Sequence, residues 1–325
     1  MLLGGIAGLF PDIDWLLGLV IADPLVYLNI HRGETHSLVL LPVWALLLGV
    51  LASRALPGGR DWRDGTLIAA LGIGIHILGD WITNFGTQLL APLSRETFAF
   101  ATTFIIDPWL TGILLIALIA VLARGGRGWA RLGLAAAAAW LVLQATLKVH
   151  ALEHARAEAE DRGLYGAQTH AMPQPLNPLH WRLLIETDEA HLSAHLGFLA
   201  DPEGPDPEAG LLARHWQSFQ PPGSLTWEAF PRFGGEPVRA FVHEGWHRPE
   251  MAAFRRLAEL PFLHRVVRRG ADRCAIFADL RFRIAQVPPP FQYAICLEPD
   301  GTWYRAEVAY WERIGEAVLE EYRPR

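Results

Sequence analysis

His31-Arg32-Gly33-Glu34-Thr35-His36-Ser37 is a polar heptapeptide set inside a strongly apolar stretch. Pro11-Asp12-Ile13-Asp14 precedes it, and His76-Ile77-Leu78-Gly79-Asp80 follows it. Around these three clusters, residues 1–149 are dominated by Leu, Ala, Ile and Gly. Imidazole and carboxylate are preferred ligands of zinc, manganese and iron, and ionisable groups at a membrane edge are costly unless something pairs with them. The pattern predicts an α-helical polytopic membrane domain that carries a metal site.

The apolar segments support that reading. Ser37–Ser53, Pro108–Ala123 and Leu132–Leu147 contain no charged residue, and Gly65–Gly79 runs uncharged into Asp80. Each is near the lower length for crossing a hydrocarbon core of about 30 Å. Leu2–Phe10 is expected to be the second half of a further span, and Trp15–Ile30, broken at Asp23-Pro24, an interfacial or re-entrant connection. Arg54, Arg60 and Arg63 lie in one connection and Arg124, Arg127 and Arg131 in another. The positive-inside rule places both on the cytoplasmic face. Alternation then puts Asp12, Asp14, His31, His36, Asp80, Asp107 and the whole second half on the outer face.

Two domains are expected, residues 1–149 in the membrane and 150–325 outside it. The second half holds most of the Pro, Glu, Asp and Arg. Its strand-like runs are Trp181–Thr187, Phe262–Arg268, Cys274–Ile284, Tyr293–Leu297 and Trp303–Ala309, with an amphipathic helix over Arg248–Glu259. A soluble α+β domain with a mainly antiparallel sheet follows, entered where Pro173–Pro178 breaks the last membrane helix and bearing an exposed loop over Asp201–Gly210. Its expected role is a lid, a substrate-positioning element or a partner surface. Cys274 and Cys296 are read as buried free thiols, with a disulfide as the alternative in an extracytoplasmic domain. Met1–Phe10 lacks the basic start and cleavage site of a signal peptide. A net charge of −6 and the lack of a basic stripe argue against nucleic acid as a partner.

Within the clusters, His76 and Asp80 are one helical turn apart and can reach a single ion. His31 and His36 flank Gly33, which permits a tight turn, and Thr35 or Ser37 can cap the helix beginning there. Arg32 is available for a substrate phosphate or carboxylate, and Asp107 for an outer contact to a ligating histidine. Taken singly, each cluster also fits a solvated helix end. Together they supply more ligands than one ion needs, so one or two divalent ions are expected, zinc favoured. His243-Glu244-Gly245-Trp246-His247 spells HExxH, but Gly245 and Pro249 argue against the continuous helix that motif requires. His150 and His154 are expected on a solvated helix, with completion of the metal site as the alternative.

Leu9-Phe10-Pro11-Asp12-Ile13-Asp14, the 31–37 heptapeptide, and His76–Asp80 followed by Gly86-Thr87-Gln88-Leu89-Leu90-Ala91-Pro92-Leu93-Ser94 closely resemble the YdjM-like inner-membrane predicted metal-dependent hydrolases. The resemblance covers about residues 1–110. It implies that Asp12, Asp14, His31, His36, His76 and Asp80 are the metal ligands. That family is distantly similar to zinc-dependent phospholipases C and single-strand nucleases, which makes a phosphoester the leading substrate. Family members usually begin with a further helix carrying an N-terminal His, and this chain starts inside the expected second helix; a misassigned start is the expectation.

The function expected is a multi-pass hydrolase of a bacterial-type inner membrane, acting on a lipid or small-molecule ester at the outer surface, with Arg32 and Asp107 assisting. The rivals are a non-catalytic, metal-stabilised scaffold or receptor, and a metal transporter. Against transport, the ligands gather at one membrane edge and no polar breaks cross the midplane.

Overall fold

Small residues decide how the first helices meet. In the computed structural model, which describes residues 2–55, 61–201, 208, 210–284, 288–308 and 319–322, the chain divides into two compact units, Met1–Ile105 and Ile106–Arg325. The first unit contains α1 (Leu2–Leu9), a 3₁₀ segment (Pro11–Leu19), α2 (Pro24–Ile30), a 3₁₀ turn (Glu34–His36), α3 (Leu41–Ala55) and α4 (Trp62–Trp81). Pro11 and Pro24 stand at helical starts, where a missing N–H costs nothing. Asp23 caps α2 by accepting from the Leu25 N–H at 2.9 Å. The break expected at Asp23-Pro24 is therefore a capped helix start.

Helix α4 packs against both α1 and α3 around Ala7, Ala45, Ala69, Ile73 and Ile77. A Cβ on Gly49 of α3 would lie 2.4 Å from the Thr66 backbone nitrogen, and one on Gly72 would lie 2.9 Å from the Gly4 carbonyl. Only glycine allows backbones this close. The outward faces are apolar, with Leu67, Leu71 and Ile75 exposed along α4.

In the second unit, α5 (Pro108–Arg124) turns at Gly125-Gly126 into α6 (Arg127–Asp161). Both glycines have positive φ, which that reversal requires. At 35 residues, α6 is about 50 Å long, well beyond the thickness of a bilayer core. It is the one described helix long and apolar enough to cross a membrane; up to two further spans arise if α1 with the 3₁₀ segment after it, bent by 49°, and the α2–α3 pair, bent by 68°, each count as one. The boundary expected at 149/150 falls within α6, and its C-terminal half stays with the sheet domain. The helix ends at Asp161, where Gly163 takes positive φ, so Pro173 does not end it. Thr169–Pro173 is instead the first strand.

That strand, β1 (Thr169–Pro173), begins a four-stranded antiparallel sheet continued by β2 (His180–Glu186), β3 (Ala190–Gly197) and β4 (Glu228–Pro231). After α7 (Leu211–Gln217), which precedes β4, come α8 (Arg239–His247) and α9 (Ala252–Leu257). A second antiparallel sheet holds β5 (Pro261–Arg269), β6 (Asp272–Asp279), β7 (Tyr293–Leu297), β8 (Trp303–Glu307) and β9 (Leu319–Tyr322) in the order β8-β7-β6-β5-β9. Trp181, Leu183 and Leu196 pack on Ala151 and Ala155 of α6, and on the opposite face Met172, Leu184 and Phe230 meet Phe262 and Ala278 of the second sheet and Leu280 just after β6.

Three expectations are revised here. Cys274 and Cys296, directly paired in register, form a disulfide and are not free thiols. Arg248–Glu259 is no single helix: Pro249–Met251 is a 3₁₀ turn leading into the short α9. Gly245 lies within a continuous α8 because a Cβ there would sit 2.9 Å from Ile295; the glycine serves close packing on the sheet, and tertiary contact outweighs its poor helix propensity. Most of the Asp201–Gly210 loop falls outside the described residues.

Candidate metal centre

The three polar clusters meet at one end of the first unit. Asp12 and Asp14 open the 3₁₀ segment after α1, His36 closes the turn before α3, and His76 and Asp80 lie in the last turns of α4. Ser37 secures the entry to α3, its Oγ accepting from the Val39 and Leu40 N–H groups at 3.0 and 3.2 Å. Trp44 Nε1 donates to the Glu34 carbonyl at 3.0 Å, tying the turn to α3.

One ligand atom each from Asp12, His36, His76 and Asp80 lies within 4.8 Å of all the others. His36 Nε2 is 3.0 Å from Asp80 Oδ2 and 3.7 Å from Asp12 Oδ1; His76 Nε2 is 3.4 Å from Asp12 Oδ1 and 3.6 Å from Asp80 Oδ2. His36 Nε2, His76 Nε2 and Asp80 Oδ2 are buried and make no hydrogen bond. Buried polar atoms are nearly always satisfied, so three unsatisfied ones converging on a fourth is the feature a cation would resolve. Two imidazoles and two carboxylates are a donor set suited to a divalent transition metal. The residues fit the ion that the sequence implies.

Orientation comes from the surrounding groups. His76 Nδ1 donates to the Gly8 carbonyl at 2.7 Å, which fixes the tautomer and leaves Nε2 as the lone-pair atom. Asp14, buried, does not join the four. It lies 3.1 Å from His31 Nδ1 and 3.7 Å from His36 Nδ1, and accepts from the Arg32 backbone N–H at 2.9 Å. Asp14 and His31 thus form an adjacent pair beside the cluster. Asp12, at 55% exposure, is the member that solvent reaches.

Arg32 does not face open space. Its Nη2 lies 3.1 Å from Asp80 Oδ1, its Nη1 donates to Thr83 Oγ1 at 3.1 Å, and its guanidinium covers Phe85 at 5.0 Å. It orients Asp80 while Oδ2 turns to the cluster. The tight turn expected at Gly33 also differs in detail: Arg32 takes the left-handed conformation at φ 56°, and Gly33 is needed because a Cβ would lie 2.7 Å from the Ile30 carbonyl. Gln88, which sequence reasoning did not place in the site, braces this loop. Its N–H donates to the Arg32 carbonyl and its side chain to the Asn29 carbonyl. Thr83, one turn after Asp80, also joins this loop: its Oγ1 accepts from Arg32 and donates to the Asp80 carbonyl.

Asp107 belongs to the other compact unit. Its carboxylate caps α5 through the Trp109 and Leu110 N–H groups and accepts from Trp140 Nε1 at 2.9 Å, so it is committed to joining α5 and α6. His150 pairs with exposed Glu153 at 3.0 Å, and the His154 ring lies 6.5 Å from that of Phe198. His243 and His247 stand on one face of α8 with ring centroids 4.3 Å apart. Among the described residues, no third ligand group joins that pair.

Residues 1–151 match the family model of the YdjM inner membrane protein. The helical region is YdjM-like. The match spans every member of the four-residue cluster and ends within α6, ahead of the sheet domain. The chain is also 30% identical over 116 residues to the uncharacterized protein YfhP of Bacillus subtilis (strain 168), covering 36% of this chain and 34% of that protein. The chain thus spans about a third of that relative. No solved structure matches.

Proposed function

We propose that the YdjM-like region is a metal-dependent hydrolase of a bacterial-type inner membrane, acting on a phosphoester or another ester at the outer surface. The observation that carries this reading is the convergence of His36 Nε2, His76 Nε2 and Asp80 Oδ2, all buried and unbonded, on Asp12. Asp12, His36, His76 and Asp80 would hold one divalent ion, zinc favoured, and the Asp14–His31 pair offers ligands for a second. Such an ion supplies Lewis acidity that lowers the pKa of water and polarises an ester. The chain's own groups do the rest. His76 is oriented by Gly8, Asp80 by Arg32, and His36 lies against Asp14. Asp12, open to solvent, is the carboxylate placed to exchange a proton with the medium.

We assign α3, α4 and α5 to membrane spans as well as α6, with the sheet domain outside the cytoplasm. Arg54 and Arg63 lie at one end of the α3–α4 hairpin, and Arg124 and Arg127 at the turn between α5 and α6, which supports that orientation. The Cys274–Cys296 disulfide supports it independently, since such bonds persist in oxidising compartments. The partners proposed are the bilayer itself and a lipid or small ester.

The test is turnover of a lipid extract by purified, metal-loaded protein, compared with Asp80→Asn. A hydrolase loses turnover in the variant while folded protein remains. Loss of folded protein without any turnover in the parent would favour a metal-stabilised scaffold.

A further inference from the structure

Among the described residues, the sheet domain buries two arginines, and acids balance one of them. Arg281 donates Nε to Asp279 at 2.9 Å and lies 2.8 Å from both the Asp279 and Glu259 carboxylates. Arg182, 1% exposed, forms no ion pair among the described residues. Its Nη1 donates to the Leu280 carbonyl at 3.1 Å, its Nη2 to His195 Nε2 at 3.0 Å, and its Nε has no partner. An imidazole that accepts a hydrogen bond is neutral, so His195 returns no negative charge.

Strand alternation places other polar groups beside it. On β2, Arg182 shares with Leu184 the face that meets the second sheet. On β3, Ser193 and His195 share that face, and the buried Ser193 hydroxyl has no partner. Arg283 lies 4.5 Å over the Phe230 ring and adds a second guanidinium to the neighbourhood. Burial, with the Arg283 charge adding, pushes Arg182 down to about 9. Among the described residues, the carboxylate facing the two arginines is Glu228, half-exposed and 3.6 Å from Arg283. Two cations against one rim acid leave a buried positive charge unbalanced, an arrangement that is costly without an anion.

We infer that Arg182, Arg283, His195 and Ser193 form a binding site for a phosphate group, entered at the Arg283–Glu228 rim. A tetrahedral oxyanion draws donors from several directions, as two guanidiniums and a hydroxyl supply them, whereas a carboxylate is satisfied by one guanidinium fork. The group is either a soluble phosphate or a lipid headgroup. The site is built within the sheet domain and does not depend on the metal centre.

The experiment is thermal unfolding of the full chain in detergent with a chelator present, followed by tryptophan fluorescence. Inorganic phosphate should raise the midpoint saturably, while chloride and acetate at matched ionic strength should not. A parallel arm in nanodiscs compares phosphatidic acid with phosphatidylcholine; protection there without protection by inorganic phosphate assigns the headgroup. Arg283→Gln, at the partly exposed rim, should raise the half-saturating concentration about ten-fold or more and leave the unliganded midpoint nearly unchanged. Should that variant fold poorly, Ser193→Ala makes the same comparison. Asp80→Asn should keep the full response. The proposal is overturned by no response in either arm, by equal protection from acetate, by an unchanged response in the folded rim variant, or by loss of the response in Asp80→Asn, which would place the phosphate at the metal centre.

Discussion

Arg32 has two readings, one from its place in the sequence and one from its contact with Asp80, and metal affinity distinguishes them. Read from sequence it meets a substrate anion, so its removal would spare the metal. In the structure it lies 3.1 Å from Asp80 Oδ1, and outer partners of this kind typically carry about 10–100-fold in metal affinity. Arg32→Ala should therefore weaken metal binding by that order while the protein stays folded, measured by competition with a chromophoric chelator. Asp80→Asn should weaken it further, since a ligand atom is lost outright. Affinity unchanged in Arg32→Ala would return that residue to the substrate side. The sheet domain supplies a second residue-scale prediction. His180, buried and stacked 4.0 Å from Phe219, is pushed down to about 4, burial first and the charge of His215 second. Its folded form binds a proton less readily than the unfolded chain does. Its contribution to stability is thus complete above about pH 6.5 and declines as pH falls toward 4, by about 1.4 kcal/mol per pH unit. Burial also lowers His195, which adds to the slope. Denaturant unfolding at pH 7.5, 6 and 5 should show that decline, and His180→Gln should flatten part of it.

At the scale of elements, close backbone contact does the positioning. Helices α3 and α4 meet where Gly49 lies against Thr66, and there is no room for a larger residue. Gly49→Leu should force the helices apart, with a cost of about 1–3 kcal/mol or more, and because α4 carries His76 and Asp80 it should lower metal stoichiometry too. Thermal stability and elemental analysis read the two effects together. Gly245 makes the corresponding contact between α8 and the second sheet, 2.9 Å from Ile295 for an added Cβ. Gly245→Leu should destabilise the sheet domain and leave metal content unchanged, which separates the two units experimentally.

For the whole molecule, the long helix α6 and the disulfide make opposite ends of one prediction. The apolar part of α6 begins beside Arg127 and Arg131, while its other end packs Ala151 and Ala155 on the first sheet. A reporter that works only outside the cytoplasm should be active after Arg325 and silent at Gly126. Equal signals at both positions would contradict the orientation. The disulfide closes a 22-residue separation, and replacing both cysteines by alanine should cost the sheet domain about 2–4 kcal/mol, seen in denaturant unfolding of the full chain.

The sequence alone determined the chemistry: Asp and His in three short clusters, each beside an apolar helix-forming run, and strands such as Tyr293–Leu297 whose limits the structure reproduces. Those features are local, set by residue type and spacing. Tertiary structure decided which of the candidate ligands converge. Asp12, His36, His76 and Asp80 draw together while Asp14 and His31 stand beside them, because the crossing of α4 with α1 and α3 fixes where each side chain ends. Packing also decided that Gly245 lies in a helix, that Asp107 serves as a cap, and that Cys274 faces Cys296 across two strands. Each of these depends on a partner distant in the chain, and no local pattern encodes the identity of that partner.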